Sequence, residues 1–376
     1  MNNDAALASD EELVREVCRA VVDQPGDTAA LVGDEIRKRA PLHTPEARLG
    51  LVRQAIAHLS GLGELDALLC DPSVDEVMVN GGGDIWVDRR GDLEAVGSLR
   101  HATVEHLIER VISPLGRRLD RTSPIVDARL PDGSRVCAAL APVAVDGAAL
   151  AIRRFRREPL PVDAFASGGT LDMLTEIVDA RCNVVVSGAT SSGKTSLVGA
   201  LLGTVAPNER LVVVEDTTEL ALRHAHSVRL EARPATVDGP PPIDLAQLVR
   251  TALRLRPDRI VVGEVRGDEV LALVQAMNTG HDGSISTCHA NGPLDALLRL
   301  ESLVMQAAPT WPLAAIRHHL ARSIDVIVHV DRRATKREVA AISEVTSVTT
   351  HDSGIRLREL ATHDDGVIGA LARRRR

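Results

Sequence analysis

The segment GATSSGKTS, which follows the apolar stretch NVVVS, is the part of this sequence with the clearest chemical meaning. It matches the pattern G-x-x-x-x-G-K-[ST] from Gly188 to Thr195. In such a loop, successive backbone N–H groups point at a phosphate, the following helix adds its positive amino end, and glycines permit the required backbone angles. We therefore predict a phosphate site formed by Gly188, Ala189, Thr190, Ser191, Ser192, Gly193, Lys194, Thr195 and Ser196.

Two side chains of this loop have specific expected roles. Lys194 would reach the β- and γ-phosphates of a bound nucleotide, and the Thr195 hydroxyl would bind Mg²⁺. Lysine is rare in this sequence, since only three of the 44 lysine and arginine residues are lysines: Lys38, Lys194 and Lys336. A flexible surface loop would also be rich in glycine and serine, but the order strand, loop, helix argues against that alternative.

Acidic residues end two other apolar stretches. LVVVED ends in Glu215 and Asp216, and RIVVGEVRG carries Glu264 and Arg266. In a parallel sheet the carboxyl ends of the strands lie beside the phosphate loop, so these carboxylates are candidate bases or metal ligands. The alternative for Asp216 and Glu264 is that they cap the helices or turns that follow.

A histidine pair lies further along, in GHDGSISTCHANGP. His281 and His289 bracket a predicted short strand from Ser284 to Cys288, and contact with the γ-phosphate is the interpretation we favour. A zinc site is the alternative, although no third ligand accompanies the pair. Packing in turns is the other alternative, for either histidine.

The composition excludes several functions. With two Phe, two Trp and no Tyr, the chain lacks the aromatic side chains on which nucleic-acid bases stack. The formal net charge of −8 also argues against nucleic acid as a partner. The five cysteines form no C-x-x-C pair, and the amino terminus shows no signal peptide. No apolar run is long enough for a transmembrane segment, so we expect a cytoplasmic protein.

Residue patterns divide the chain into four parts. Residues 1–70 read as short helices, residues 71–156 as a mixed α+β domain, residues 157–169 as a linker and residues 170–376 as a second domain. In this last part, Val- and Ile-rich strands alternate with helices. That alternation predicts an α/β fold with a parallel sheet covered on both faces.

The motifs together resemble one known family. GATSSGKTS, LVVVEDTTEL, LRLRPDRIVVGEVRGDE and MNTGHDGSISTCHANGP, in this order, are similar to those of the type II/type IV secretion ATPase superfamily. The resemblance is greatest to the Flp/Tad pilus-assembly ATPases. It extends to VDEVMVNGGGDIWVDRRG, SPIVDARLPDGSRV and LAIRRF, and so covers residues 74–345.

The resemblance implies a homo-oligomeric ring, usually a hexamer, in which a smaller N-terminal domain is hinged to a RecA-like P-loop domain and ATP lies between them. It also implies roles for individual residues. Glu264 would activate water and Glu215 would assist the metal or the water. The residues implied to contact the nucleotide besides the loop are Arg135, Arg153, Arg266, His281 and His289.

The function implied is a motor that hydrolyses MgATP and drives pilus assembly or secretion through an integral membrane platform, from the inner face of the cell membrane. Two alternatives stay open at this point. A RecA-like DNA translocase shares the sheet and the phosphate loop, and a nucleotide-regulated ring scaffold would need little turnover. The departures from the family are Ala189 and Ser191, which stand where close relatives favour glycine.

Overall fold

The protein is described from a computed structural model. The structure describes residues 13–373 except positions 15, 22–27, 42, 61, 90, 101, 131, 155–158, 234–240, 334–335, 347–354 and 364–365. The end of the predicted α+β domain, 155–156, and the start of the predicted linker, 157–158, lie outside the described residues. The chain divides into two compact units, Met1–Phe155 and Arg156–Arg376.

The first unit begins with helices. Residues 13–14 and 16–21 are helical, and three further helices follow: α1 (Thr28–Arg39), α2 (Pro45–Ser60) and α3 (Glu64–Cys70). The first helical segment, α1 and α2 enclose a small core that includes Val17, Ile36 and Ala55, whereas Leu65 of α3 belongs to the core of the sheet described next.

An antiparallel sheet forms the rest of this unit, with the strand order β3-β2-β1-β6-β5-β4. Helix α4 (Val104–Ile112) begins after Thr103, whose hydroxyl accepts a hydrogen bond from the His106 amide, and its buried side chains share one core with those of the sheet. Its strands are β1 (Val74–Val79), β2 (Asp84–Arg89), β3 (Asp92–Ser98), β4 (Ile125–Arg129), β5 (Arg135–Ala139) and β6 (Ala149–Arg153).

The second unit is built on a nine-stranded sheet with the order β15-β14-β13-β12-β7-β11-β10-β8-β9. From β12 to β9 all neighbours are parallel, but β12 to β15 pair antiparallel. The prediction of a parallel sheet is thus correct for the central strands and incomplete for the carboxyl-terminal part. The strands are β7 (Val184–Gly188), β8 (Leu211–Glu215), β9 (Ser227–Glu231), β10 (Arg259–Val262), β11 (Ile285–His289), β12 (Val326–Arg333), β13 (Lys336–Thr346), β14 (Arg356–Thr362) and β15 (Gly366–Val367).

Helices cover both faces of this sheet. One apolar core lies beneath α5 and α6 and another beneath α7 to α10, and the buried valines of β7, β8 and β10 alternate between the two cores. A fully buried strand needs apolar residues on both sides, which is why these strands read as continuous valine runs. The helices are α5 (Gly168–Asp179), α6 (Lys194–Leu202), α7 (Leu245–Ala252), α8 (Glu269–Asn278), α9 (Pro293–Ala307) and α10 (Leu313–Ser323).

Among the described residues, no helix combines the length and the apolar composition that crossing a bilayer requires.

Candidate functional site

The carboxyl edge of the parallel strands brings the predicted motifs together. Strand β7 ends at Gly188 and its parallel neighbour β11 ends at His289, its register partner. Strand β8 ends at Glu215, and Glu264 follows the end of β10 by two residues. Because these strands are neighbours in one parallel sheet, four segments that are distant in the sequence end at one edge.

Two glycines fix the path of the phosphate loop. A Cβ atom at Gly188 would lie 2.4 Å from both the Ser192 Oγ and the Val330 carbonyl oxygen. Gly193 has φ +100°, and a Cβ there would lie 2.7 Å from the Arg337 Cδ. Ser191 also has a positive φ, 59°, without being glycine, so the loop holds a left-handed residue at a cost of about 1 kcal/mol.

The loop fits an anion. Helix α6 begins at Lys194 without a side-chain cap, so its first N–H groups are not satisfied by a capping side chain. The Lys194 ammonium donates hydrogen bonds to the Gly188 and Ala189 carbonyl oxygens, at 3.1 and 2.8 Å. The Ser192 hydroxyl is buried and has no hydrogen-bond partner among the described residues. Phosphate oxygens would satisfy these donors.

The remaining loop residues differ in their exposure. Ala189, Thr190 and Ser191 are exposed, whereas Thr195 and Ser196 are half-buried in the first turn of α6. An oxygen donor such as the Thr195 hydroxyl suits a magnesium ion, and its role as a ligand of that ion stays a prediction.

Glu215 is almost completely enclosed, with a side chain 3% exposed. Its Oε1 accepts hydrogen bonds from the Glu219 and Leu220 amides, at 2.9 and 2.7 Å, and its Oε2 accepts one from Arg229 at 3.2 Å. Burial raises the pKa of this carboxyl, against the opposing effect of the amides and Arg229. Both oxygens are thus engaged by the protein, and a metal-assisting role stays a prediction.

Glu264 is placed differently. Its Oε2 accepts a hydrogen bond from Arg266 at 2.6 Å, but its Oε1 is buried and accepts no hydrogen bond from any described residue. The His289 Nε2 lies 2.9 Å from that Oε1. An acceptor left open in this way can take a proton from water.

His289 connects the carboxylate with the phosphate loop. Its Nε2 lies 3.5 Å from the Lys194 Nζ as well as near Glu264. Burial lowers the pKa of this imidazole, the positive charge of Lys194 lowers it further, and Glu264 opposes the shift. The neutral imidazole is therefore favoured between the two groups.

Arg266 and Asp216 lie at the outer side of the site. The hydrogen bond from Arg266 to Glu264 raises the pKa of the guanidinium, and the nearby charge of Asp216 raises it as well. Asp216 is exposed, one residue beyond the end of β8. It is therefore less enclosed than Glu264, the other candidate base.

The structure does not bring His281 to these residues. It precedes β11, and its Nδ1 lies 3.3 Å from the Ala276 carbonyl oxygen, at the end of α8. Histidines that bracket a strand lie at its opposite ends, because each strand residue advances the chain by about 3.3 Å. Of these two histidines, His289 lies at the carboxyl end of β11 and His281 precedes its amino end.

Arg135 and Arg153 belong to the first unit, where they are register partners on β5 and β6. Arg135 is in turn the register partner of Arg129 on β4. Arg135 lies 3.5 Å from the Asp127 carboxylate, and Arg153 is exposed. The sheet thus collects three arginines in one row, of which sequence reasoning singled out two.

Two further polar residues of the second unit were not found from the sequence. Arg229 on β9 also donates to the Leu220 carbonyl oxygen, so it fixes the turn that holds Glu215. His329 on β12 lies 2.9 Å from the Ser187 Oγ, just before the phosphate loop, and burial lowers the pKa of this imidazole. Neither residue lies in a recognisable motif, so no sequence signal marked it.

Comparison with solved structures identifies the fold. The pilus retraction motor PilT, whose crystal structure contains ADP, aligns over 77% of this chain and 83% of its own length, with 19% identity and a TM-score of 0.54. The ATPase DotB of Legionella pneumophila aligns over 75% of this chain and 79% of its own, with 20% identity and a TM-score of 0.52. These similarities support the predicted RecA-like fold.

Sequence comparison identifies the family. A Mycobacterium tuberculosis protein named for conjugal transfer is 41% identical over 310 residues, which cover 78% of this chain and 87% of that protein. The conjugal transfer protein TrbB of Rhizobium radiobacter is 34% identical over 75% of this chain and 87% of its own length. The family model for type II/IV secretion system proteins matches residues 59–361. The chain therefore belongs to the type II/IV secretion system protein family, as its motifs predicted.

Proposed function

We propose that this protein is a motor ATPase that hydrolyses MgATP to drive secretion or pilus assembly through an integral membrane platform. The observation that carries the proposal is the buried Oε1 of Glu264, which accepts no hydrogen bond from any described residue and lies 2.9 Å from the His289 Nε2, the same atom that stands 3.5 Å from the Lys194 Nζ. A base next to a phosphate loop is the arrangement that suits hydrolysis of the phosphoanhydride bond of ATP by water.

Each residue has a defined task in this mechanism. The amides at the start of α6 and the Lys194 ammonium bind the β- and γ-phosphates, while Thr195 holds the magnesium ion, which neutralises phosphate charge when bound. Glu264 orients a water molecule and accepts its proton at Oε1. His289, neutral, lies near both Lys194 and Glu264 through its Nε2, and Arg266 holds the other carboxylate oxygen.

Arg135 and Arg153 would add positive charge at the γ-phosphate. Fixed guanidinium groups stabilise the charge that develops on a transferring phosphoryl group. The family resemblance supports this part of the proposal, as does the adjacency of the two arginines in one sheet. We also propose a homo-oligomeric ring, and a mass measurement with and without nucleotide would count its subunits.

The membership of the Flp/Tad branch and the membrane platform are further parts of the proposal. The relatives named for conjugal transfer support a role in moving macromolecules through an envelope-spanning machine. Replacing the gene by its Lys194→Ala form should abolish surface fibres or secreted proteins while leaving the protein level unchanged. Unaltered fibres and secretion would remove this assignment.

The catalytic part is tested with the purified full-length protein. Lys194→Ala should reduce Mg-dependent phosphate release by roughly 100-fold, because Lys194 is the only lysine in residues 188–196 and its ammonium would no longer bind the phosphates. Lys38→Ala, the same substitution at the exposed end of α1, is the matched control and should keep the full rate. Equal rates for both variants would show that the loop is not the site of hydrolysis.

A further inference from the structure

A hairpin rich in arginine runs alongside the phosphate loop. Strands β12 and β13 form this hairpin, in which Arg332 is the register partner of Arg337 and Arg333 that of Lys336. Strand β12 is also the parallel neighbour of β7, the strand that leads into the loop. This pairing ends at His329 and Ser187, and at the next residues the Val330 carbonyl oxygen lies 2.4 Å from the position that a Cβ of Gly188 would take. The hairpin thus follows the loop from its first glycine.

Arg337 contacts the other end of the loop. Its Cδ, Cγ and Cβ lie 2.7, 3.4 and 3.5 Å from the position of a Cβ at Gly193, so the aliphatic stem packs on that glycine. Gly193 immediately precedes Lys194 and the start of α6. The Arg337 side chain therefore lies against the segment that turns its amides toward a phosphate.

The alternation of side chains along a strand determines which face of the hairpin each charged residue occupies. Val330 and Val339 belong to the core beneath α6, and Arg332 and Arg337 each stand two residues from one of them, on the same face. The acids Asp331 and Glu338 are register partners one position away, on the opposite face. Two arginines thus stand directly opposite each other and concentrate positive charge on this face.

The sheet order indicates which part of a nucleotide would meet these arginines. Glu264 and His289 follow strands on one side of β7, and the hairpin lies on the other side. The γ-phosphate must face Glu264, where water attacks. A phosphate chain laid across the loop then carries its α-phosphate toward β12.

We propose that Arg332 and Arg337 form a second phosphate subsite, which binds the α-phosphate of the nucleoside di- or triphosphate held by the loop. This inference rests on the proposed function, since it needs a nucleotide at residues 188–195. The subsite would strengthen binding of ATP and ADP alike and would take no part in cleaving the γ-phosphate.

The test uses the full-length protein and the binding of ADP measured by titration calorimetry at several salt concentrations. Arg337→Met keeps an aliphatic stem on Gly193 and removes the charge; we expect roughly tenfold weaker binding. The salt dependence of log Kd should become shallower, because one charge contact is lost, a change that a packing defect alone would not produce. Arg337→Lys should restore part of the affinity. Lys336→Met, next to it on the hairpin and exposed, is the matched control.

Turnover separates this subsite from the catalytic groups. Arg337→Met should raise the KM for ATP with little change in kcat, because the reacting phosphate is untouched. Suppose that Arg337→Met binds ADP as tightly as Lys336→Met, whereas Lys194→Ala loses ADP binding. The subsite proposal would then be wrong, and the proposed function would stand. If Lys194→Ala also binds ADP normally, the proposed function itself fails. Weaker binding with an unchanged salt dependence would assign Arg337 to packing and overturn the subsite.

Discussion

Glu215 ends β8 and Glu264 lies two residues past the end of the neighbouring β10, yet the two carboxylates have opposite surroundings. Glu215 is 3% exposed, and two amides and an arginine occupy its oxygens. Glu264 is 20% exposed, and one buried oxygen accepts no hydrogen bond from the described residues. A carboxylate saturated by the fold is suited to holding a turn, whereas an open one is suited to handling a proton.

The largest expected effect is on turnover at the open carboxylate. Glu264→Gln keeps the size of the side chain and removes its basicity, so Mg-dependent ATP hydrolysis should fall roughly 100-fold or more. Nucleotide binding should persist, because the loop is unchanged. Phosphate release and ADP titration measure the two properties separately. Asp216→Asn is the control at the other candidate base, and a larger loss there would reverse the assignment.

The next effect is on stability, at the saturated carboxylate. Glu215→Ala removes the acceptor of two amides and one of the acceptors of Arg229, which keeps the Leu220 carbonyl oxygen, and should lower the free energy of unfolding by about 3 kcal/mol. Chemical denaturation of the purified protein gives this quantity. Asp216→Ala, at the next position and exposed, should change it by less than about 0.5 kcal/mol. Similar losses for both variants would contradict the distinction drawn here.

The smallest expected effect is a dependence on pH at His289. Burial lowers the pKa of His289, so its imidazole stays neutral somewhat below the ordinary pKa of about 6.5. The contribution of the neutral imidazole to the stability of the fold is therefore present above pH 6.5 and is lost as pH falls through the lowered pKa. ATP hydrolysis should therefore persist somewhat below pH 6.5 before it declines. His289→Asn should shift or flatten that acid limb, which a pH–rate profile would show. An identical acid limb in the variant would exclude protonation of His289 as its cause.

The sequence predicted the parts of the molecule whose pattern is dictated by burial or by backbone geometry. Central strands such as β7 and β8 are buried on both faces, so their valine runs are unmistakable. Strand β3 is exposed along its whole length and therefore carries no alternation to detect. Helix α5 begins at Gly168, within the predicted linker of residues 157–169. Its first two residues are glycines, which are typical of loops, so no sequence signal indicated a helix there.

The site shows the same division. The loop and Glu264 were predictable because a short motif or a strand end specifies them. The hairpin at the loop was not, because it is adjacent only through the pairing of β12 with β7, across more than a hundred residues of chain. The position of His281 at the other end of β11 was equally hidden from the sequence, and its contact with a nucleotide stays a prediction.

Lys194 donates to carbonyl oxygens of its own loop. A ligand must therefore displace these internal acceptors before it gains the ammonium, and the measured affinity is the difference between the two sets of contacts. The self-contact thus subtracts the same free energy from the binding of every ligand that takes the ammonium. A polyphosphate, with several charged oxygens, offers the loop more contacts to offset that loss than a small anion does.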